Sequence, residues 1–172
     1  MNTIVIICGG NSCGKTTTLK RFFRIDYQAR SPNYYVERIL DSKIICAKSF
    51  CSPQEQSKFC NVKQVKENIK ERTQACDLES KGEPYILLIP FTMNIDSANR
   101  KRINENCIIR PIEELRKEFK VYIMYLRKTN AQNLAEKDEL MKQINAFFIT
   151  PETTEKDCDR SKQLETYLKH LK

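Results

Sequence analysis

Eight residues near the start of the chain carry the clearest chemistry. Gly9-Gly10-Asn11-Ser12-Cys13-Gly14-Lys15-Thr16 fits the pattern G-x-x-x-x-G-K-[ST]. Three of the four glycines in the chain fall inside it. Glycine permits backbone conformations that a Cβ forbids, so successive N–H groups can turn inward around an anion. A helix opening near Lys15 adds its positive dipole end at the same place. Lys15 supplies a full charge for β- and γ-phosphates, and the Thr16 hydroxyl suits Mg²⁺. The pattern therefore predicts that residues 9–16 hold the phosphates of a nucleoside triphosphate. Cys13 precedes Gly14 and Lys15, where inward N–H groups and a lysine favour a thiolate. It is expected to be the thiol most sensitive to bound nucleotide.

The surrounding sequence supplies what such a loop needs, a strand before it and a helix after it. Residues 3–8 form a short apolar run, and Leu19, Phe22, Phe23 and Tyr27 then share one helical face. Further strand-like runs lie at 43–50, 85–91, 120–126 and 146–150, separated by helical patterns. Phe59, Val62, Val65, Ile69 and Cys76 make one apolar stripe, which Gly82 is placed to end. Residues 96–119 read as two helices, because the residue before Pro111 is driven out of the helical region. Thr129 with Gln132 forms a capping box for a helix carrying Leu134, Met141 and Ile144. A last helix presents Leu164, Tyr167, Leu168 and Leu171. The expected architecture is α/β: a single domain over residues 1–172, doubly wound around a mainly parallel five-stranded sheet with helices on both faces.

Composition narrows the classes of function. The 172 residues carry a net charge of +8, which favours phosphate-bearing partners or nucleic acid. No apolar run approaches the roughly 20 residues that span a bilayer. The apolar run at 3–8 is short, lacks a basic region before it and leads directly into the glycine loop. It reads as a strand and not a leader, so a cytoplasmic location without membrane contact is expected. Eight cysteines are present with no C-x-x-C pair, an arrangement that speaks against a zinc ribbon. Free thiols are the simplest reading, with a site built from Cys46, Cys51 and Cys60 as the alternative.

On the residues of the loop, the chain resembles the P-loop NTPase superfamily. The resemblance implies that Thr17 contacts the α-phosphate, and that a carboxylate closing a buried strand serves the Mg²⁺ or polarises the nucleophile. The strand at 85–91 ends Pro90-Phe91-Thr92 without an acid, so Asp96 and Glu55 are the candidates. Each has a bland alternative, Asp96 as a helix N-cap and Glu55 as a first-turn carboxylate stabilised by the dipole. The strand closing Tyr125-Leu126-Arg127-Lys128-Thr129-Asn130 lacks the N-K-x-D that reads guanine in Ras-like GTPases, which favours ATP. Compact size, a phosphate loop at the start and a late Tyr-Leu-Arg strand end are most similar to small P-loop kinases. That similarity implies Glu55 as base for an acceptor hydroxyl and Arg127 as cover for the transferred phosphoryl. The chain departs from these kinases in lacking a lid with paired arginines between Leu126 and Ala146. The alternatives are an ATPase or nucleotide-gated switch acting on a protein or nucleic acid, and a binding module without turnover.

Overall fold

The computed structural model describes residues 2–10, 13–26, 28–30, 32–56, 62–93, 106–128, 133–149 and 160–171. For residues 55, 56, 106 and 107 the description is confined to the backbone. The first apolar run forms β1 (Thr3–Gly9), and the helix after the glycine loop is α1 (Lys15–Phe22). There follow β2 (Val36–Leu40), β3 (Lys43–Ala47), α2 (Pro53–Gln56), α3 (Val62–Glu79) and β4 (Tyr85–Thr92). The chain then builds α4 (Asn106–Leu115), β5 (Lys120–Leu126), α5 (Leu134–Gln143), β6 (Phe147–Ile149) and α6 (Arg160–His170).

These strands make one six-stranded sheet in the order β2-β3-β4-β1-β5-β6. All neighbours pair in parallel except β2 and β3, which are antiparallel. The expectation of five strands is corrected here: Val36–Leu40 adds a sixth, at the edge. The link between β2 and β3 is only Asp41 and Ser42, and both have positive φ, 47° and 65°. That is the backbone of a type I′ turn, for which Asn-Gly is the usual signature. Asp-Ser lacks the glycine, so the turn is nearly silent in the sequence. The strand itself exposes Glu37 and Ile39, as only an edge strand can.

Alternation along the central strands divides the core in two. Ile4, Ile6 and Cys8 of β1, with Tyr85, Leu87, Ile89 and Phe91 of β4, face one cluster. There they meet Val65, Ile69 and Cys76 of α3, Ile108, Ile112 and Leu115 of α4, and Leu140 and Met141 of α5. Val5 and Ile7, with Leu88, Met124 and Leu126, face the opposite cluster with Leu19 and Phe22 of α1 and Leu164 and Leu168 of α6. A strand buried on both faces reads as a continuous apolar run, which is why these segments were legible.

Helix α4 runs unbroken through Pro111, so the expected break at Arg110 is not where the helix ends. An interior proline forfeits one helical hydrogen bond and ordinarily costs about 3 kcal/mol. Burial of Ile108, Ile112 and Leu115 on a single face outweighs it. The capping pair Thr129 and Gln132 lies outside the described residues; α5 begins after Asn133, whose φ of 54° is left-handed. Among the described residues no helix is long and apolar enough to cross a membrane.

Candidate functional site

Because β1 lies between β4 and β5, the loop after Gly9 leaves from the middle of the sheet's carboxyl edge. In open α/β sheets that edge, where the winding reverses, is where ligands are held. Gly9 pairs with Thr92, and its carbonyl accepts from the Met93 N–H at 3.1 Å. Gly14 has φ of +89° and caps α1, its carbonyl accepting from the Thr18 N–H at 2.8 Å. An L side chain at that φ would be strained, so glycine is required there. Lys15 opens α1, and its Nζ donates to the carbonyls of Gly9 at 3.0 Å and Gly10 at 2.9 Å. Thr16 and Thr17, both half-buried, occupy the same first turn. Asn11 and Ser12 lie outside the described residues.

Gly9 is needed for a different reason. A Cβ there would stand 2.2 Å from the Cys13 Sγ and 3.5 Å from the Leu126 carbonyl. Cys13 is only 6% exposed and packs in the cluster beneath the loop, so its sulfur has little room to withdraw. The thiol faces Gly9 and the core, 3.9 Å from Lys15 Nζ. Behind it the Cys8 thiol is pushed up to about 12, mainly by burial, against the pull of Lys15. Among the described cysteines the exposed one is Cys51. We predict that Gly9→Ala destabilises the fold by about 1–3 kcal/mol, the usual cost of overpacking. Adding Cys13→Ala should restore most of that loss in thermal melts. A single variant melting like the parent would show that the sulfur moves aside freely.

Two further cations converge on the loop, and the sequence reading named neither. Arg160, the first residue of α6, is buried and donates from Nη1 to the Cys13 carbonyl at 2.7 Å and from Nη2 to the Arg127 carbonyl at 2.9 Å. It thus ties the glycine loop to the end of β5. Arg127 is itself held through Nε by the Asp138 carboxylate of α5, at 2.9 and 3.1 Å. One residue earlier in α5, Lys137 is 3% exposed. No hydrogen bond or ion pair is made by its ammonium among the described residues. Its pKa is lowered, first by burial, and the charges of Lys15 and Lys128 act in the same sense; Cys13 and Glu136 act against them. The available signal was periodicity. Lys137 falls on the stripe of Leu134, Met141 and Ile144, and Arg160 on the stripe of Leu164 and Leu168, where apolar residues would belong.

The segment carrying Glu55 is brought to the same edge. Gln54 Oε1 accepts from the Thr92 N–H at 3.5 Å, and Thr92 pairs with Gly9, so α2 sits against the end of β4 beside the loop. Arg72 of α3, 2% exposed, holds the approach to α2 by donating to the carbonyls of Cys51 at 2.9 Å and Ser49 at 3.4 Å. Burial lowers its pKa to about 10. Asp96 lies outside the described residues, and β4 itself ends without a carboxylate. Cys46, Cys51 and Cys60 are not brought together in what can be described. Cys46 is buried against Cys76, Cys51 is exposed, and Cys60 lies outside the described residues. Among the described residues no group of three or more His, Cys, Asp or Glu side chains could hold a metal.

No family model and no curated protein matches the chain. Among solved structures, it is similar to a de novo designed P-loop-fold protein determined by NMR in solution. The match has 15% identity and a TM-score of 0.48, and covers 98% of this chain and 92% of that one. The protein described here is an α/β protein with a six-stranded, mostly parallel sheet.

Proposed function

We propose that the chain binds a nucleoside triphosphate, with ATP favoured, at residues 9–17 and transfers its terminal phosphoryl group to an acceptor hydroxyl. One observation carries the reading: Gly14, at φ +89°, caps α1 at the sheet's carboxyl edge, and the Lys15 Nζ lies over the Gly9 and Gly10 carbonyls of the same loop. An ammonium group and a helix N-terminus at one loop favour an anion there. A triphosphate is such an anion, and the loop of residues 9–17 has the backbone to receive one. Lys15 would exchange its two carbonyl acceptors for phosphate oxygens, and Lys137 would neutralise the terminal phosphate from the α5 side. Arg127, fixed by Asp138, stands next in line to cover the transferred group.

Thr16 fits a Mg²⁺ ion through one hydroxyl at the start of α1, the phosphates supplying the other protein-independent ligands. The metal would neutralise charge that develops on the phosphoryl oxygens. Glu55 is the proposed base, because α2 is docked beside Gly9 by Gln54; it would take the proton of the acceptor hydroxyl. The basic surface makes a small phosphorylated molecule or a nucleic-acid end the favoured class of acceptor.

Phosphoryl transfer to a panel of nucleosides, sugars and nucleic-acid ends tests the reading. In that assay Glu55→Gln should lower turnover by about 100-fold or more, since a general base contributes on that order. Its affinity for ATP should change by less than roughly threefold, because the carboxylate touches the acceptor and not the nucleotide. Unchanged turnover in Glu55→Gln would remove it from the base role. Absence of both transfer and phosphate release in the parent would remove the reaction itself.

A further inference from the structure

Away from the glycine loop, two sulfurs meet in the core on the α3 side of the sheet. Cys46 lies on β3 and Cys76 on α3, thirty residues apart, with their Sγ atoms 3.2 Å from each other. Both residues are fully buried. Cys46 pairs with Glu37 across the hairpin and with Leu87 of β4. Tyr85 donates from its hydroxyl to Asp77 at 2.9 Å and to the Thr73 carbonyl at 3.2 Å. Tyr35 donates to Glu37 at 2.6 Å. The two carboxylates nearby are therefore occupied by tyrosines, and the thiols have each other. The hydrogen bond to Cys76 and burial hold the proton on Cys46, so the resting pair is two thiols.

We propose that Cys46 and Cys76 are a modification site that closes to a reversible disulfide when the protein meets a small peroxide. The inference is independent of the nucleotide reading. A disulfide bond is about 2.05 Å long, so each sulfur needs to move by only about 0.6 Å from the 3.2 Å separation. The oxidant is hydrogen peroxide or an organic hydroperoxide of similar size, small enough to reach a site closed to bulky reagents. The Cys76 sulfur, which accepts the hydrogen bond from Cys46, attacks the peroxide oxygen as the O–O bond breaks; its proton goes to the departing hydroxide, leaving a sulfenic acid and one water. The second sulfur attacks the sulfenic sulfur, and its proton leaves with the displaced hydroxyl as another water. Two thiols and one H₂O₂ give one disulfide and two waters. A thiol reductant reverses the step by exchange.

The bond would clamp α3 to β3 at a point that matters for the rest of the edge. Arg72 lies one turn before Cys76 on α3 and holds the carbonyls of Ser49 and Cys51, the turn that follows β3. Oxidation thus joins covalently two elements that Arg72 already joins by hydrogen bonds.

The full-length chain is treated with hydrogen peroxide, quenched, unfolded in an alkylating agent and mapped by peptide mass spectrometry. The expected result is a cross-linked pair of peptides containing Cys46 and Cys76, with the other cysteines alkylated. The melting temperature should rise by roughly 10 °C, as closing a loop of this length predicts, and return to its starting value with dithiothreitol. Cys76→Ser should show neither change. Alkylation of all eight cysteines after peroxide would overturn the proposal, as would separate sulfinic acids at these positions or bonds to other cysteines. A cross-link that leaves the melting temperature unchanged would overturn the clamp. The map of the parent chain decides the matter even where a serine variant fails to fold.

Discussion

Lys15→Ala is expected to abolish measurable triphosphate binding, by a factor of about 100 or more, while the folded state survives. A hydrogen bond between charged groups contributes about 1.5–3 kcal/mol, and this lysine is placed for more than one phosphate oxygen. Of its present acceptors, the Gly9 carbonyl keeps its bond from the Met93 N–H when the ammonium is gone, and Gly10 is half-exposed to water. The fold should therefore lose little, and the melting temperature should stay within a few degrees of the parent. Calorimetric titration of ATP beside a thermal melt checks both halves. Binding by the variant within a few-fold of the parent would dissociate the glycine loop from the nucleotide.

Lys137→Met is expected to move stability and affinity in opposite directions. Methionine keeps the unbranched shape and fills the same space on α5, but it removes the charge at the end of a buried stem. Relief of about 1 kcal/mol would raise the melting temperature by roughly 2–4 °C in a chain of this size. Affinity for ATP should fall by about 10-fold or more as the terminal phosphate loses its second lysine. The sign of the pH dependence follows from the lowered pKa of Lys137. The unfolded chain holds this proton more tightly than the folded one, so the destabilisation is fully present below the lowered folded value. It fades as pH rises toward the ordinary lysine range. The stability gain in Lys137→Met should accordingly be largest near neutral pH and shrink in alkaline buffer. A variant less stable than its parent at pH 7, with unchanged affinity, would return Lys137 to an ordinary packing role.

What could be read in the sequence was whatever one segment declares alone. The run Ile4-Val5-Ile6-Ile7 reads as a strand covered on both faces, and Gly14-Lys15-Thr16 reads as the start of a helix. Helix α3 showed its stripe of Val65, Ile69 and Cys76, and all five expected strands lie within about three residues of their bounds. The edge strand was hidden because Glu37 and Arg38 make it look like a loop and because Asp41-Ser42 turns without glycine. The two further cations were hidden for another reason. Lys137 and Arg160 lie on α5 and α6, far along the chain from residues 9–16, and only the packing of those helices brings Arg160 onto the Cys13 carbonyl and buries Lys137. Each nonetheless leaves a mark, a charge at a position where helical periodicity asks for an apolar side chain. Arg38 illustrates the same logic at lower stakes. It lies over the Phe22 ring and pairs with Glu165 at 2.7 Å, securing the hairpin to α1 and α6. The packing of Cys13 was not legible either, since its sulfur fills the space that Gly9 leaves empty.

The central claim, that residues 9–17 receive a triphosphate, is tested most directly by calorimetric titration of the full chain with Mg·ATP and, in parallel, with Mg·AMP. The account predicts one saturable site and an affinity for ATP at least about 10-fold above that for AMP, because Lys15 and Lys137 address the phosphates beyond the first. No heat with either nucleotide, or equal affinity for both, would contradict it.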